Sequence, residues 1–365
     1  MKIVHQIKSG FSFIGKYHFR WVLFIAISWT VFDLTWNRFF HFSITSKGET
    51  PFLFMSTGAT LLRGAIVFFM SSLMAFLLIF KLKQAFRDMA LLVSLLLKTS
   101  ILLIASLFMN FLLHFSYSIF ILHFTFLDGL KNFFDDATSA IWLLHHSLGW
   151  VVLFLITQLV IEFYEKYSPG VFWDILIGRY IRPKVEKRIV MFLDLIDSTP
   201  IAEQLHSKKY FSFIRDFIYF ASIALLEYNG RIYQYVGDEI VVSWLYTPQN
   251  ILKCLDALRL SNRLLLRNSN YFRQRYGFVP QFKSGIHAGE VTVGEIGIIK
   301  KDIAMSGDVI NTAARIRDYC NEVGKKCVTS KEFLYNVNIP WQTESLGAIN
   351  LKGKSESIEL FALII

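Results

Sequence analysis

The stretch Gly230-Arg-Ile-Tyr-Gln-Tyr-Val-Gly-Asp-Glu-Ile-Val-Val-Ser-Trp244 decides the fold of the second half of this chain. Two runs rich in β-branched and aromatic residues, Ile232–Val236 and Ile240–Trp244, flank Gly237-Asp238-Glu239, which predicts a β-hairpin with an acidic turn. A second apolar run, Arg188-Ile-Val-Met-Phe-Leu-Asp-Leu195, predicts a buried strand that delivers Asp194 near its C-terminal end. A strand ending in one carboxylate beside a hairpin tipped with another is a seat for hard divalent cations.

Working outward, Ser198-Thr199 and Glu203 open a long helical segment that Asn229-Gly230 ends. Thr247-Pro248 opens a helix to about Arg267, with Ile251, Leu255, Leu258 and Leu265 on one face. Strands are expected at Gln281–His287, Glu290–Gly294, Asp302–Ser306, around Val328, at Ser345–Leu351 and at Ile358–Ile364, with a helix at Val309–Tyr319. The sum is an α/β (α+β) domain with a βαββαβ ferredoxin-like core of mixed pairing. The glycine clusters Gly285–Gly289 and Gly294–Gly297 read as turns around a short strand. His287 reads as a packed strand residue. Gly347–Ser355 has one residue too many between its glycines for a phosphate-binding P-loop and lacks the flanking strand and helix. In Ser306–Arg315, Asn311 and Arg315 are four apart and share a helix face, where an amide beside a guanidinium can hold a sugar and a phosphate.

The first half is different. The chain has 365 residues, 54% of them hydrophobic, with a mean hydropathy of +0.43, too apolar for one soluble domain. Apolar runs at Trp21–Phe32, Gly64–Phe80, about Leu91–Phe115 and about Ile141–Phe163 approach the ~20 residues that cross a bilayer. They predict an N-terminal α-helical transmembrane bundle of about four spans, the first retained because no small-residue cleavage site follows it. Net charge is +10: 15 basic minus 9 acidic residues through Pro183, and 23 minus 19 after it. Neither half has the dense basic stripe of a nucleic-acid binder. Lys2, Lys8, Lys16 and Arg20, then Lys81, Lys83 and Arg87, then Arg179, Arg182, Lys184, Lys187 and Arg188 flank alternate ends of the spans, whereas Asp128, Asp135 and Asp136 sit between spans three and four. The expectation is a multi-pass protein of the plasma (inner) membrane with both termini cytoplasmic. Asp33 and Glu162 lie near span ends within reach of water; Lys98, His145 and His146 lie within spans. Between them and the α/β domain, Val171–Ile181 has the spacing of an amphipathic surface helix. The domain boundaries expected are 1–164 for the bundle, 165–187 for this linker and 188–365 for the α/β domain. Cys254, Cys320 and Cys327 form no CxxC pair, as in a reduced compartment without structural disulfides.

Five motifs in order, Phe192–Thr199, Val236–Glu239, Gly285–Val291, Gly307–Arg315 and Leu351–Gly353, resemble the catalytic domain of class III nucleotidyl cyclases over roughly Lys187 to Leu363. This resemblance implies that Asp194 and Asp238 bind two Mg2+ or Mn2+ per active site. It implies that Asn311 orients the ribose, that Arg315 stabilises charge on the transferring phosphate and that Lys352 holds the triphosphate. It also implies a homodimer with two equivalent sites in which the aspartates and the Asn-Arg pair come from opposite subunits. The expected partners are a nucleoside triphosphate, the lipid bilayer and a second copy, with no nucleic acid. Base selection departs from the pattern: Gln234 stands where adenylyl members place a lysine and guanylyl members an acid, and Ala304 where Asp or Thr is usual. A glutamine offers donor and acceptor together. Glu290 replaces a phosphate-binding arginine, which shifts work to Lys352 and Lys354. The implied activity is a membrane-bound adenylate cyclase that forms 3′,5′-cyclic AMP and pyrophosphate from ATP. Guanylate cyclase, or an inactive cyclase-like membrane receptor, are the alternatives.

Overall fold

The computed structural model describes residues 13–44, 57–86, 89–120, 123–137, 140–165, 171–299, 302–334, 341–354 and 356–364. It divides into two compact units, Gly15–Lys166 and Tyr167–Ile365 together with the first residues of the chain.

The first unit is helical: α1 (Phe13–Ile44), α2 (Thr57–Leu77), a π-helical turn (Leu78–Leu82), α3 (Lys83–Ala85), α4 (Leu91–Phe120), α5 (Phe126–Ala137) and α6 (Ala140–Glu165). Four stretches, Tyr17–Trp36, Thr60–Leu82, Leu91–Phe120 and Ser147–Tyr164, are long and apolar enough to cross a membrane. They pack on a buried apolar core that includes Trp29, Leu102, Met109 and Phe154, yet their outer surface is apolar too. Phe24, Ile27, Leu61, Phe69, Leu92 and Ile104 are exposed, while Ser71, Ser106, Asn110 and Gln158 are buried. Apolar surface outside and polar groups inside suit a hydrocarbon surrounding. Trp29 donates from Nε1 to Thr157 Oγ1 at 3.0 Å, and Gln158 Nε2 donates to Thr99 Oγ1 at 2.8 Å.

The charges inside this unit are paired. Asp33 does not reach water: it is 2% exposed and accepts a bidentate fork from Arg63, 2.7 Å from Nε and 2.8 Å from Nη2. Lys98 is buried 3.6 Å from the half-exposed Glu162. His145 and His146 lie on α6, but their side chains fall outside the described residues.

In the second unit, α7 (Val171–Leu176) is one short helix. The expected amphipathic helix to Ile181 stops early because Gly178 takes φ +67° and turns Tyr180 back into the core. Asp174 of α7 then pairs with Arg231 at 2.7 Å. The sheet comprises β1 (Lys184–Leu195), β2 (Arg231–Val236), β3 (Glu239–Leu245), β4 (Phe282–Ile296), β5 (Asp302–Ser306), β6 (Cys327–Ser330), β7 (Thr343–Ile349) and β8 (Ile358–Leu363). Its order is β2-β3-β1-β4-β6-β8-β7, with β5 on β4. All recorded pairings are antiparallel except β4 with β6. The helices are α8 (Ser198–Glu227), α9 (Pro248–Arg267), α10 (Ser269–Tyr276), α11 (Asp308–Val323) and α12 (Lys331–Leu334). The expected βαββαβ core is present as β1-α8-β2-β3-α9-β4 plus the later strands.

One core lies under α8 and α9, where Phe213, Phe217, Trp244, Leu258 and Phe272 are buried together. On the other face, Val190, Phe192, Val241 and Val291 meet Val309 and Ala313 of α11. Cap chemistry differs in one place. Thr247 caps α9 through its hydroxyl as expected, accepting from Asn250 N at 3.2 Å, but α8 starts from Asp197 at φ 56° without a side-chain cap. Both outer strands are irregular: the register shifts between Ile232 and Gln234 in β2 and between Ser345 and Gly347 in β7.

Of the glycines expected in turns, only Gly297 is in one, at φ +89° just past the end of β4, while Gly294 also lies within that strand. Gly285 and Gly289 sit inside one continuous fifteen-residue strand, β4. Their missing side chains serve helix packing: a Cβ on Gly285 would lie 2.2 Å from Arg317 N and 2.5 Å from Ala313 O, and one on Gly289 would lie 2.6 Å from Val309 Cγ2. Both glycines let α11 lie directly on the strand.

Candidate active site

The hairpin forms as expected, with Gly237 at φ +62° and Asp238 between β2 and β3. The β1–β3 register pairs Leu193 with Ile240, so Asp194 and Glu239 are neighbours at the end of the ladder, one residue from Asp238. Asp194 and Asp238 also act on a common neighbour. Burial first, then the Asp238 charge and more weakly that of Asp194, push the Tyr210 phenol above its ordinary pKa. The structure thus brings together the two carboxylates singled out in the sequence.

Asp194 Oδ2 accepts from Arg317 Nη1 at 2.9 Å and lies 3.4 Å from Lys283 Nζ. The same Arg317 nitrogen also reaches Glu239, and Arg317 Nε lies 3.0 Å from Asp318 Oδ1. Burial pushes the Glu239 carboxyl up from its ordinary value, and Arg317 opposes that shift. Asp238 Oδ2 is buried with no hydrogen-bond partner. A buried carboxylate oxygen without a donor is costly unless a cation completes it. Two carboxylates, one of them orphaned, therefore fit a divalent cation; among the described residues no cluster of three or more such ligands occurs.

α11 carries a second group of residues on its other side. Asn311 is exposed and Arg315 half-buried. Arg315 Nη2 lies 3.2 Å from the point where a Cβ of Gly353 would stand, so its guanidinium sits against the turn holding Lys352 and Lys354. Lys354 pairs with Asp308 at the start of α11, and this bond is the main cause of the lowered Asp308 carboxyl pKa. Residues 315 and 317 are about 200° apart around an α-helix. The single chain therefore turns Arg317 toward Asp194 and turns Arg315 away, toward Gly353.

Gln234 is exposed on β2, and Ala304 is half-buried on β5. Tyr233, at the β2 bulge, accepts from Met305 N at 3.2 Å and so ties these two strands together. Glu290 is exposed on β4. His287 is buried, and its Nδ1 shares a 2.6 Å hydrogen bond with Ser330 Oγ. Glu332 lies 3.7 Å from that same nitrogen, so these three do not form a nucleophilic triad, which needs both ring nitrogens. The sequence alone singles out neither Arg317 nor Lys283 and places Glu239 only as one of two acids in the turn. The available signal was the cation two positions after Arg315, which helical geometry aims at the sheet.

The family described as "Adenylate and Guanylate cyclase catalytic domain" matches residues 182–364, and the chain belongs to that family, the class III nucleotidyl cyclases. Among curated relatives it is 28% identical over 211 residues to "Adenylate cyclase 2" of Rhizobium meliloti, covering 56% of this chain and 57% of that one. It is 24% identical over 216 residues to "Adenylate cyclase" of Anabaena cylindrica, covering 55% of this chain and 42% of that protein. The chain thus spans about half the length of the curated relatives it matches. Among solved structures, the adenylyl cyclase CyaB from P. aeruginosa aligns at 19% identity and a TM-score of 0.46, covering 50% of this chain and 96% of that one.

Proposed function

We propose that this chain is a membrane-bound adenylate cyclase that converts ATP to 3′,5′-cyclic AMP and pyrophosphate as a homodimer. The observation that carries the reading is the split of the site across α11. Asp194 and Asp238 lie on one side, while Asn311, Arg315 and Lys352 lie on the other, so one chain holds two half-sites facing apart. A head-to-tail pair of copies would join each half to its complement and form two equivalent sites.

In this reading Asp194 and Asp238 hold two Mg2+ or Mn2+ ions, which when bound lower the pKa of the ribose 3′-hydroxyl and screen the triphosphate. Asn311 orients the ribose for in-line attack on the α-phosphate. Arg315 places its guanidinium where negative charge grows on the transferring phosphoryl group, and Lys352 holds the triphosphate. Gln234 and Ala304 line the base site. The adenine preference is supported by the names of the curated relatives, while the amide of Gln234 can pair with either purine. Guanylate cyclase is therefore the second reading.

The bundle, residues 1–164, is read as a multi-pass domain of the plasma (inner) membrane that does more than anchor the chain, with both termini cytoplasmic, supported by the four apolar helices and the basic flanks. The expected boundary at 187/188 falls inside β1, whose pairing with β4 starts at Lys184, so the catalytic domain is read from about residue 182 and the residues between it and the bundle as the coupling segment. The test is a turnover assay on the full chain in detergent with ATP or GTP and Mn2+, identifying the cyclic product. Cyclic AMP is the expected product, and Asp194→Ala and Asp238→Ala should each reduce its formation at least about 100-fold while the chain stays folded. Failure to cyclise either nucleotide at concentrations that support a dimer refutes the enzyme reading.

A further inference from the structure

The cations around Asp194 point to a property of this chain's own metal seat. Arg317 Nη1 is shared between Asp194 and Glu239, Lys283 Nζ is 3.4 Å from the same Asp194 oxygen, and Arg317 Nε lies 3.0 Å from Asp318 Oδ1 as an ion pair without hydrogen-bond geometry. Asp194 Oδ2 therefore faces two positive charges from the same chain. A guanidinium at hydrogen-bond distance and a divalent cation on one carboxylate oxygen repel each other, and in a half-buried site water screens that repulsion weakly. Arg317 has somewhere to go: Glu239 and Asp318 can retain it if it leaves Asp194.

We propose that Arg317 is a displaceable internal cation that sets the metal affinity of this site. Without metal its guanidinium bridges Asp194 and Glu239, which would otherwise have only Lys283, on Asp194, to offset their charge. As a divalent cation binds, Arg317 gives up Asp194 and stays on Glu239 and Asp318. Arg317 is thus a positioning residue, and Glu239 is the anion that draws it away. The inference rests on Asp194 being a metal ligand, as read above.

The experiment is a titration of the detergent-solubilised full chain with Mn2+ alone, following free Mn2+ by electron paramagnetic resonance without nucleotide. Arg317→Gln should bind Mn2+ about 10-fold tighter, because a repelling unit charge is gone. Glu239→Gln should bind it several-fold weaker, because Arg317 is then left to Asp194. In EDTA, Arg317→Gln should melt below the parent, and Mn2+ should raise its melting temperature by more than it raises the parent's. Loss of a merely structural contact would weaken binding in both variants. Unchanged or weaker binding by folded Arg317→Gln overturns the inference. If that variant does not fold, unchanged or tighter binding by Glu239→Gln overturns it alone. Mn2+ binding that survives Asp194→Ala removes the metal assignment and the inference together; binding that depends on Asp194 but ignores Arg317 and Glu239 removes only the inference.

Discussion

Gly285→Ala should loosen the site without replacing any of its polar side chains. A Cβ at Gly285 would lie 2.2 Å from Arg317 N, 2.5 Å from Ala313 O and 2.7 Å from Arg317 Cα, all backbone atoms of α11. No rotamer change relieves a clash with backbone. An ordinary contact needs about 3.5 Å, so strand and helix must part by roughly 1 Å. Overpacking of this kind costs about 1–3 kcal/mol, and three backbone contacts put this case at the upper end, about 3 kcal/mol. The same displacement carries Asn311, Arg315 and Arg317 with the helix, and a shift of about 1 Å can lower turnover by roughly 100-fold. Gly324→Ala is the matched control: it ends the same helix at φ +63° with nothing within 4 Å of a new Cβ. Its cost is confined to the left-handed backbone, about 1 kcal/mol, with turnover unchanged. Thermal melts and cyclic-nucleotide formation on the detergent-solubilised chain read both variants. A Gly285→Ala protein as stable and as active as Gly324→Ala would refute the packing argument.

Three further outcomes are expected. Asp33→Asn leaves the Arg63 guanidinium buried without its carboxylate and should cost about 3–5 kcal/mol in detergent unfolding, with much of it recovered by the charge swap Asp33→Arg/Arg63→Asp; stability equal to the parent would contradict the buried pair. Burial holds the His287 imidazole below its ordinary pKa of 6.5, so the folded chain keeps it neutral while the unfolded chain takes up a proton. Its contribution is present above about pH 6.5 and is lost as pH falls from there toward the lowered folded pKa, and His287→Gln should flatten the slope of melting temperature against pH in that window. Burial pushes the Cys320 thiol up to about 12 and those of Cys254 and Cys327 well above the ordinary thiol range. A thiol reagent at pH 8 should therefore modify none of the three in the native chain and all three after denaturation, and rapid native labelling would show the burial to be wrong.

Much of the catalytic half was legible because its signals are local. The hairpin was written in two β-branched runs around Gly237, β1 in a continuous apolar run before Asp194, and the Asn311–Arg315 face in a four-residue spacing. What could not be read depends on residues distant in sequence. Gly285 and Gly289 resemble turn glycines until α11 is laid on the strand, when the absence of a Cβ becomes a packing requirement. Glu239 looks like a second turn acid, yet it is buried because Arg317 on another element reaches it. Asp33 lies near a span end in the sequence, within reach of water, and only the approach of α2 supplies Arg63 as its partner. In each case the deciding neighbour is many residues away, so local periodicity contains no trace of it.

The irregular outer strands have a consequence for how copies of this chain can meet. β2 and β7 end the sheet path, and each carries a register shift, at Tyr233 and at Leu346. A bulge bends and twists the edge it occupies, so neither margin presents a straight run of free amides and carbonyls for a foreign strand to extend. Sheet-to-sheet growth is disfavoured at both ends. Any pairing of copies that uses the ends of the sheet path would first have to straighten these bulges.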